Sequence, residues 1–82
     1  MKQIKVGSKG VLNYVLALQE HFLLEDEVEV VARGHSIDRM IQAVLMYKEL
    51  FSKYPLDIEL NIMVDPLDNG YTSKMSIVVR IV

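Results

Sequence analysis

Two short stretches decide the fold of this sequence: Ile4–Gly10, with the sequence IKVGSKG, and Val30–Ser36, with the sequence VVARGHS. Each begins with apolar residues, continues with a glycine, a basic residue and a small polar residue, and precedes a long segment of helical periodicity. Connections between neighbouring parallel strands are right-handed in nearly all proteins. If both stretches are such strands, their basic ends lie side by side at the starts of two helices.

Both helices are predicted from apolar spacing. The first follows Ser8 as N-cap and ends near Leu23. Its apolar stripe is Val11, Val15, Leu18 and Phe22, widened by Leu12 and Leu16. The second has Ser36 as N-cap and ends just before Pro55, because the residue before a proline avoids the helical region.

The C-terminal part predicts a hairpin of two strands, 57–64 and 72–82, joined at Asn69-Gly70. A two-residue turn at this dipeptide sets Asp68 opposite Tyr71. That register gives four apolar pairs on one face, Val64–Met75, Ile62–Ile77, Leu60–Val79 and Ile58–Ile81, and two opposite-charge pairs on the other, Asp65–Lys74 and Glu59–Arg80.

The predicted order of elements is therefore β-α-β-α-β-β. We expect residues 1–82 to form a single α+β domain, a two-layer sandwich with two helices packed on a mixed four-stranded sheet.

Composition excludes several classes of protein. The 82 residues are 51% apolar and 24% charged with a net charge of -2, so a uniformly basic surface for nucleic acid is excluded but a local basic patch is not. There is no cysteine, the first residues do not resemble a signal peptide, and no apolar run approaches the ~20 residues of a membrane span. We therefore expect a cytoplasmic protein.

Charge is predicted to separate between the two ends of the sheet. The end where both helices begin carries Ser8, Lys9, Arg33, His35 and Arg39, together with the hairpin tip, residues 65–71. The other end carries Glu20, Glu25, Asp26, Glu27, Glu29, Asp57 and Glu59. Helix N-termini also favour anions. An anion-binding site is thus predicted at the first end, which we call the basic pole.

The sequence gives no pattern for catalysis or metal binding. The spacing of a phosphate-binding P-loop is absent, and the two histidines have no matching carboxylate pattern. No trio of nucleophile, base and orienting residue is visible among the serines. We expect neither a cofactor nor an enzyme, although a small phosphate-bearing metabolite at the paired helix starts would be the physical basis for one.

Three motifs together resemble the Alba family of archaeal chromatin and RNA-binding proteins. They are the turn Val6-Gly7-Ser8-Lys9, the helix start Val11-Leu12-Asn13-Tyr14-Val15, and Ala32-Arg33-Gly34 followed by Ile37. Their order and spacing match the family over about residues 4–54, whereas the last two strands match in topology more than in residues.

The resemblance implies a dimer that binds DNA or RNA without strong sequence preference, with possible association with the chromosome. It makes Lys9 and Arg33 phosphate contacts, places Asn13 near the site and gives Tyr14 a structural role. The predicted nucleic-acid-binding residues are Ser8, Lys9, Asn13, Arg33, His35, Arg39 and Lys74.

The chain departs from the family pattern at the site itself. Ser8 and Gly10 stand where the family has a lysine and a proline, so the lysine acetylation for which the family is named has no target at position 8. The hairpin arm, residues 65–73, contains two aspartates and no Lys or Arg. We therefore expect weaker binding than is usual in the family.

A second hypothesis is an oligomeric interaction or regulatory protein that kept the fold and lost useful affinity for nucleic acid. The acidic composition and the surplus of apolar residues favour it. In either case we expect a homodimer, or a heterodimer with a related chain. The predicted dimer surface consists of apolar residues left over after the core is assigned, Met46, Leu50, Met63, Val78 and Val82.

Overall fold

A computed structural model describes residues 2–82. It contains two helices and four strands in the order β-α-β-α-β-β. The elements are β1 (Gln3–Lys5), α1 (Val11–Phe22), β2 (Glu27–Arg33), α2 (Ser36–Leu50), β3 (Leu56–Leu67) and β4 (Gly70–Ile81).

The strands form one mixed sheet in the order β1-β2-β4-β3. β1 and β2 are parallel, while β4 is antiparallel to both β2 and β3. The two-layer architecture predicted from the sequence is confirmed. Because β1 and β2 are parallel, their C-terminal ends lie at the same edge of the sheet, as predicted for the stretches Ile4–Gly10 and Val30–Ser36.

The core lies between the helices and one face of the sheet. Side chains alternate between the two faces of a strand, and β2 contributes Val28, Val30 and Ala32 to this covered face. Leu18 of α1 and Met40 of α2 pack on them, and both are almost completely buried. The other face has no helix on it among residues 2–82, and we call it the open face.

Both predicted N-caps are wrong. Gly10 precedes α1 and His35 precedes α2, and neither makes a side-chain capping hydrogen bond. Ser8 lies in the loop before Gly10, and Ser36 is already the first residue of α2.

The four residues of the predicted α1 stripe, Val11, Val15, Leu18 and Phe22, all lie in the core or pack against it, but the residues predicted to widen it do not. Leu12 and Leu16, which were expected to widen the stripe, are half exposed. Tyr14 and His21 are buried instead. Both carry polar atoms with partners in the fold, since the Tyr14 hydroxyl accepts main-chain hydrogen bonds and His21 Nε2 lies 2.6 Å from the Glu27 carbonyl oxygen. Hydropathy alone therefore places the centre of the stripe correctly and its edges wrongly.

The helix α2 ends at Leu50, before the predicted boundary at Pro55. Its buried Tyr47 stacks on Phe22 of α1 at 5.3 Å between ring centroids. Burial raises the pKa of Tyr47, so its phenol stays neutral throughout the physiological range.

The predicted hairpin register is wrong by two residues. Leu67 pairs with Gly70, so Asp68 and Asn69 form the turn. Neither has a positive φ, whereas the type I′ turn typical of Asn-Gly needs a positive φ at both central residues. Gly70 takes the positive φ, 146°. A shift of two keeps every side chain on its predicted face.

The shift changes the predicted charge pairs. Asp65 lies opposite Thr72 rather than Lys74, and the predicted Asp65–Lys74 pair is absent from residues 2–82. Arg80 lies opposite Asp57 and still reaches Glu59, at 3.8 Å. Two of its carboxylate contacts are thus on β3, and they fix this strand at the edge of the sheet.

Substitution of Leu18 by alanine tests the location of the core. Leu18 is 1% exposed, so Leu18→Ala should lower the free energy of unfolding by about 2–5 kcal/mol. Leu24→Ala is the matched control, because Leu24 is 87% exposed and its loss should change stability by less than about 0.5 kcal/mol. Urea denaturation followed by circular dichroism measures both, and equal losses would contradict the placement of the core.

Candidate nucleic-acid interface

The peptide of Gly7 joins the two turns of the basic pole. Its carbonyl oxygen accepts a hydrogen bond from Arg39 Nη1 at 2.6 Å and another from the Ser36 hydroxyl at 3.3 Å. Both donors belong to α2, 29 and 32 residues away in the chain. The turn after β1 is therefore held against the start of α2, and the meeting of the two motifs predicted from the sequence is present.

The phenol of Tyr14 fixes the first turn from inside. Its oxygen accepts hydrogen bonds from the backbone N–H of Gly7 at 2.8 Å and of Lys9 at 3.2 Å. Tyr14 itself is buried in α1. One side chain thus sets the path of the backbone on both sides of Ser8, and with it the point from which the exposed Lys9 projects.

The second turn is fixed to the hairpin. The backbone N–H of Gly34 donates to the carbonyl oxygen of Ser73 in β4 at 2.9 Å. Gly34 has a φ of 50°, and a Cβ at this position would lie 3.3 Å from Thr72 Oγ1. The left-handed backbone and the close approach of β4 both favour glycine here.

Arg33, the predicted phosphate contact after β2, already has an anionic partner. Its Nη2 lies 2.5 Å from Asp65 Oδ2 in β3. The Oδ2 atom is shielded from solvent and has no hydrogen bond of regular geometry within residues 2–82, so the contact is an ion pair by distance alone. The Arg33 side chain remains 60% exposed. A nucleic-acid phosphate can reach Arg33, but it must compete with Asp65.

The other predicted contacts differ in how available they are. Ser8, Lys9 and His35 are exposed at the basic pole. Asn13 is also exposed, and its amide donates to the Gly10 carbonyl oxygen at 3.4 Å. Arg39 is partly buried by its bond to Gly7, which gives it a structural role in addition to its charge.

Lys74 belongs to a second group of cations, on the open face. It lies directly opposite Arg33 in the pairing of β2 with β4. Lys5 of β1 lies on the same face, and the three side chains line a shallow groove of about 390 Å³ together with Gln3, Val31 and Ser36. Lys5 was not predicted as a site residue. It lies between Ile4 and Val6, which point toward the core, and this alternation indicates that the Lys5 side chain lies on the opposite face of the sheet.

The far end of the open face is acidic. Arg80 lies within 4 Å of three carboxylates, those of Glu27, Asp57 and Glu59. The hydrogen bond to Glu27 is the main reason that the pKa of Arg80 is raised. Glu29 accepts hydrogen bonds from Gln3 and Ser76 on the same face. The separation of charge predicted between the two poles thus extends across the open face.

The five predicted dimer residues do not form one surface. Met46 and Leu50 lie seven and eleven residues after Arg39, on the flank of α2 that faces the turn after β1. Strand alternation places Met63 and Val78 on the open face, and Val82 lies beyond the end of β4. Val78 is only 5% exposed because neighbouring strands already cover it, so it offers little area to a partner.

A different apolar surface is exposed instead. Leu60, Ile62 and Val64 alternate along β3 on the covered side of the sheet, beyond the reach of the helices. They are 58%, 74% and 67% exposed. We call this row the hairpin strip. The sequence predicts these residues on the apolar face of the hairpin, but periodicity does not show where the helices stop covering that face.

The described part of the chain contains no group of three or more His, Cys, Asp or Glu residues arranged to hold a metal ion. None of its helices has the length and apolar character needed to cross a membrane.

Comparisons with known proteins agree on one family. The family model described as Alba matches residues 2–60. The DNA/RNA-binding protein Alba of Methanococcus maripaludis is 38% identical over 64 residues, which are 76% of this chain and 72% of that protein.

Solved structures give the same result for the fold. Alba from Thermoplasma volcanium superposes with a TM-score of 0.76 at 26% identity, covering 96% of this chain and 99% of that one. ALBA1 from Trypanosoma brucei superposes with a TM-score of 0.75 at 23% identity, covering 98% and 68% respectively. The second likeness shows the fold alone.

Replacement of Tyr14 by phenylalanine tests how the first turn is held. Tyr14→Phe leaves two backbone N–H groups without their acceptor, so the free energy of unfolding should fall by about 1–2 kcal/mol. Amide hydrogen exchange should accelerate at Gly7 and Lys9. Tyr54→Phe is the control, because the Tyr54 ring is 62% exposed. Unchanged exchange at both amides in Tyr14→Phe would show that the phenol does not order the turn.

Proposed function

The chain belongs to the Alba family, and from this premise we propose that it is a non-enzymatic protein that binds DNA or RNA as a dimer through phosphate contacts at the basic pole. The phosphate backbone is the same for every sequence, so this mode of binding has little sequence preference. We place its action in the cytoplasm, on RNA or on the chromosome.

The observation that carries the proposal is the joining of the two turns through the Gly7 carbonyl. This contact, with the Gly34–Ser73 hydrogen bond, gathers Lys9, Arg33 and the hairpin at one end of an otherwise acidic chain. Lys9 and Arg33 are the main phosphate contacts, with Ser8, Asn13, His35, Arg39 and Lys74 around them.

A dimer is supported by the hairpin strip. Three alternating aliphatic side chains on one edge strand form an exposed apolar row of a kind that monomers rarely leave uncovered. Ile41 and Leu45 add to it, since they lie on the flank of α2 opposite Arg39 and so face the β3 side of the sheet. A second copy that covers this surface leaves both basic poles open to nucleic acid.

A second candidate function is an oligomeric interaction or regulatory protein of the same fold with weak affinity for nucleic acid. The ion pair between Arg33 and Asp65 favours it, because it neutralises one of the two main cations of the site. Absence of binding to duplex DNA, single strands and structured RNA at micromolar concentration, in a protein that remains a dimer, would support this alternative.

Removal of both main cations tests the phosphate site. For Lys9→Gln with Arg33→Gln, the slope of log affinity against log salt should become shallower by about 1.5, because each phosphate contact contributes about 0.7–0.9. Fluorescence anisotropy with labelled single-stranded RNA and duplex DNA at several salt concentrations measures this slope and compares the two nucleic acids.

The matched control is Lys48→Gln with Lys53→Gln, which removes the same charge near the C-terminal end of α2. α2 begins at the basic pole, so these lysines lie away from it. If both double variants reduce the salt slope of the affinity by the same amount, binding depends on net charge and the site is misassigned.

A charge in the hairpin strip should separate the dimer. Ile62→Asp places a carboxylate in the proposed interface, so light scattering with size-exclusion chromatography at micromolar concentration should give a monomer. Val82→Asp is the control, since Val82 is as exposed, at 79%, but lies beyond the end of β4 and outside the hairpin strip. A wild-type monomer, or a dimer that survives Ile62→Asp, would contradict the proposed interface.

A further inference from the structure

The open face holds a cluster of positive charge that the turns of the basic pole do not account for. Strand alternation puts Lys5, Arg33 and Lys74 on this face, away from the helices. Arg33 and Lys74 are directly opposite on adjacent strands. Like charges in this position destabilise a sheet, so the arrangement has a cost in the free protein that an anion would remove.

The only carboxylate bonded to this cluster within residues 2–82 is Asp65, through its ion pair with Arg33. The paired Oδ2 atom is solvent-shielded and lacks a regular hydrogen bond. Three cations and one carboxylate leave a local charge of +2, although the whole chain has a charge of -2. The carboxylate thus marks where an anionic oxygen fits, without neutralising the cluster.

The groove at this cluster has the dimensions and lining of a small-ligand site. Its volume of about 390 Å³ falls within the ordinary range of about 300–1,000 Å³ for such sites. Gln3 and Ser36 are in the lining, where the Gln3 amide donates to Glu29 and the Ser36 hydroxyl donates to the Gly7 carbonyl oxygen. Val31 supplies an apolar surface. A phosphate with its attached nucleoside matches this combination of charge, polarity and size.

The rest of the open face limits how a ligand can lie. Glu27 and Glu59 occupy its far end, whereas Glu29 lies beside the groove, because its carboxylate accepts a hydrogen bond from the groove-lining Gln3. All three carboxylates would repel a phosphate. Arg33 borders both the groove and the turn before α2. A strand that follows the positive charge therefore passes from the turns of the basic pole onto the sheet at Arg33 and stops before Glu27 and Glu59.

We propose that the groove lined by Lys5, Arg33 and Lys74 on the open face binds the phosphate of a nucleotide unit in a nucleic-acid strand, in competition with the Asp65 carboxylate. The proposal rests on the proposed nucleic-acid-binding function and extends that site from the turns onto the sheet. It adds Lys5 to the binding residues and makes Asp65 an internal competitor.

Nuclear magnetic resonance titration of the full chain tests the groove directly. AMP supplies a terminal phosphate, a 5′-hydroxyl dinucleotide supplies only an internal phosphodiester, and adenosine supplies neither. We expect shifts at the backbone amides of Lys5, Val31 and Lys74 with at least one of the phosphate-bearing probes and none with adenosine. The probe that binds more tightly identifies a strand end or an internal phosphate as the ligand.

Three variants refine the test. Lys5→Gln should weaken binding of the probe by about threefold to fivefold, as expected for loss of one exposed charge contact, and Asp65→Asn should strengthen it by a similar factor. Lys53→Gln, an exposed lysine outside the groove, should have no effect. Shifts that also occur with adenosine, shifts confined to the turn around Lys9, or equal losses in Lys5→Gln and Lys53→Gln would overturn the proposal.

Failure of the groove proposal can be distinguished from failure of the proposed function. Lys5 lines the groove and Lys9 does not, so substitution of Lys9 tests the turn and substitution of Lys5 tests the groove. If Lys9→Gln weakens oligonucleotide binding but no probe shifts the groove amides, the groove proposal fails and the proposed function stands. If the probes shift the groove but wild-type chain binds no oligonucleotide, the groove is a nucleotide site and the proposed function fails.

Discussion

The Gly7 peptide is the contact on which the basic pole depends. The N–H of Gly7 donates to the Tyr14 phenol and its carbonyl accepts from Arg39 and Ser36, so this one residue links the turn after β1 to α1 and α2. No side chain at position 7 takes part. The two turns are therefore joined by bonds from the side chains of Tyr14, Ser36 and Arg39 to main-chain atoms of Gly7, and the Lys9 side chain stays exposed at the pole.

The topology and the location of the pole were predictable because they follow from patterns that tolerate small errors. Apolar periodicity separated helices from strands, and the handedness of crossovers then brought the Gly7 and Gly34 turns to one edge. The hairpin register shows the limit of this approach. A shift of two residues preserves the face of every side chain, so the pattern of Ile58 to Val64 cannot distinguish the two registers. Only the backbone of the turn at Asp68 and Asn69 decides between them.

Details that depend on three-dimensional packing were not predictable in the same way. Ser8 and Ser36 have the right chemistry for N-caps, but the Ser36 hydroxyl donates to the Gly7 carbonyl oxygen instead. That acceptor comes within reach of Ser36 only when the two turns meet in the fold. The ion pair of Arg33 with Asp65 likewise needs the true register, since the predicted one paired Asp65 with Lys74. The exposure of the hairpin strip depends on where α1 and α2 end over the sheet, a property of helix placement rather than of the strand sequence.

If the chain binds phosphate at the basic pole as proposed, Asp65 is the residue through which this acidic chain moderates its affinity. A carboxylate held at 2.5 Å from Arg33 offsets much of the attraction of that arginine for other anions. A bound phosphate must displace it, and the displaced carboxylate then lies beside the phosphate and repels it. Because both effects act on one side chain in β3, the position of the hairpin arm sets the strength of the site. A movement of the arm that carries Asp65 away from Arg33 would raise affinity without any change at the turns.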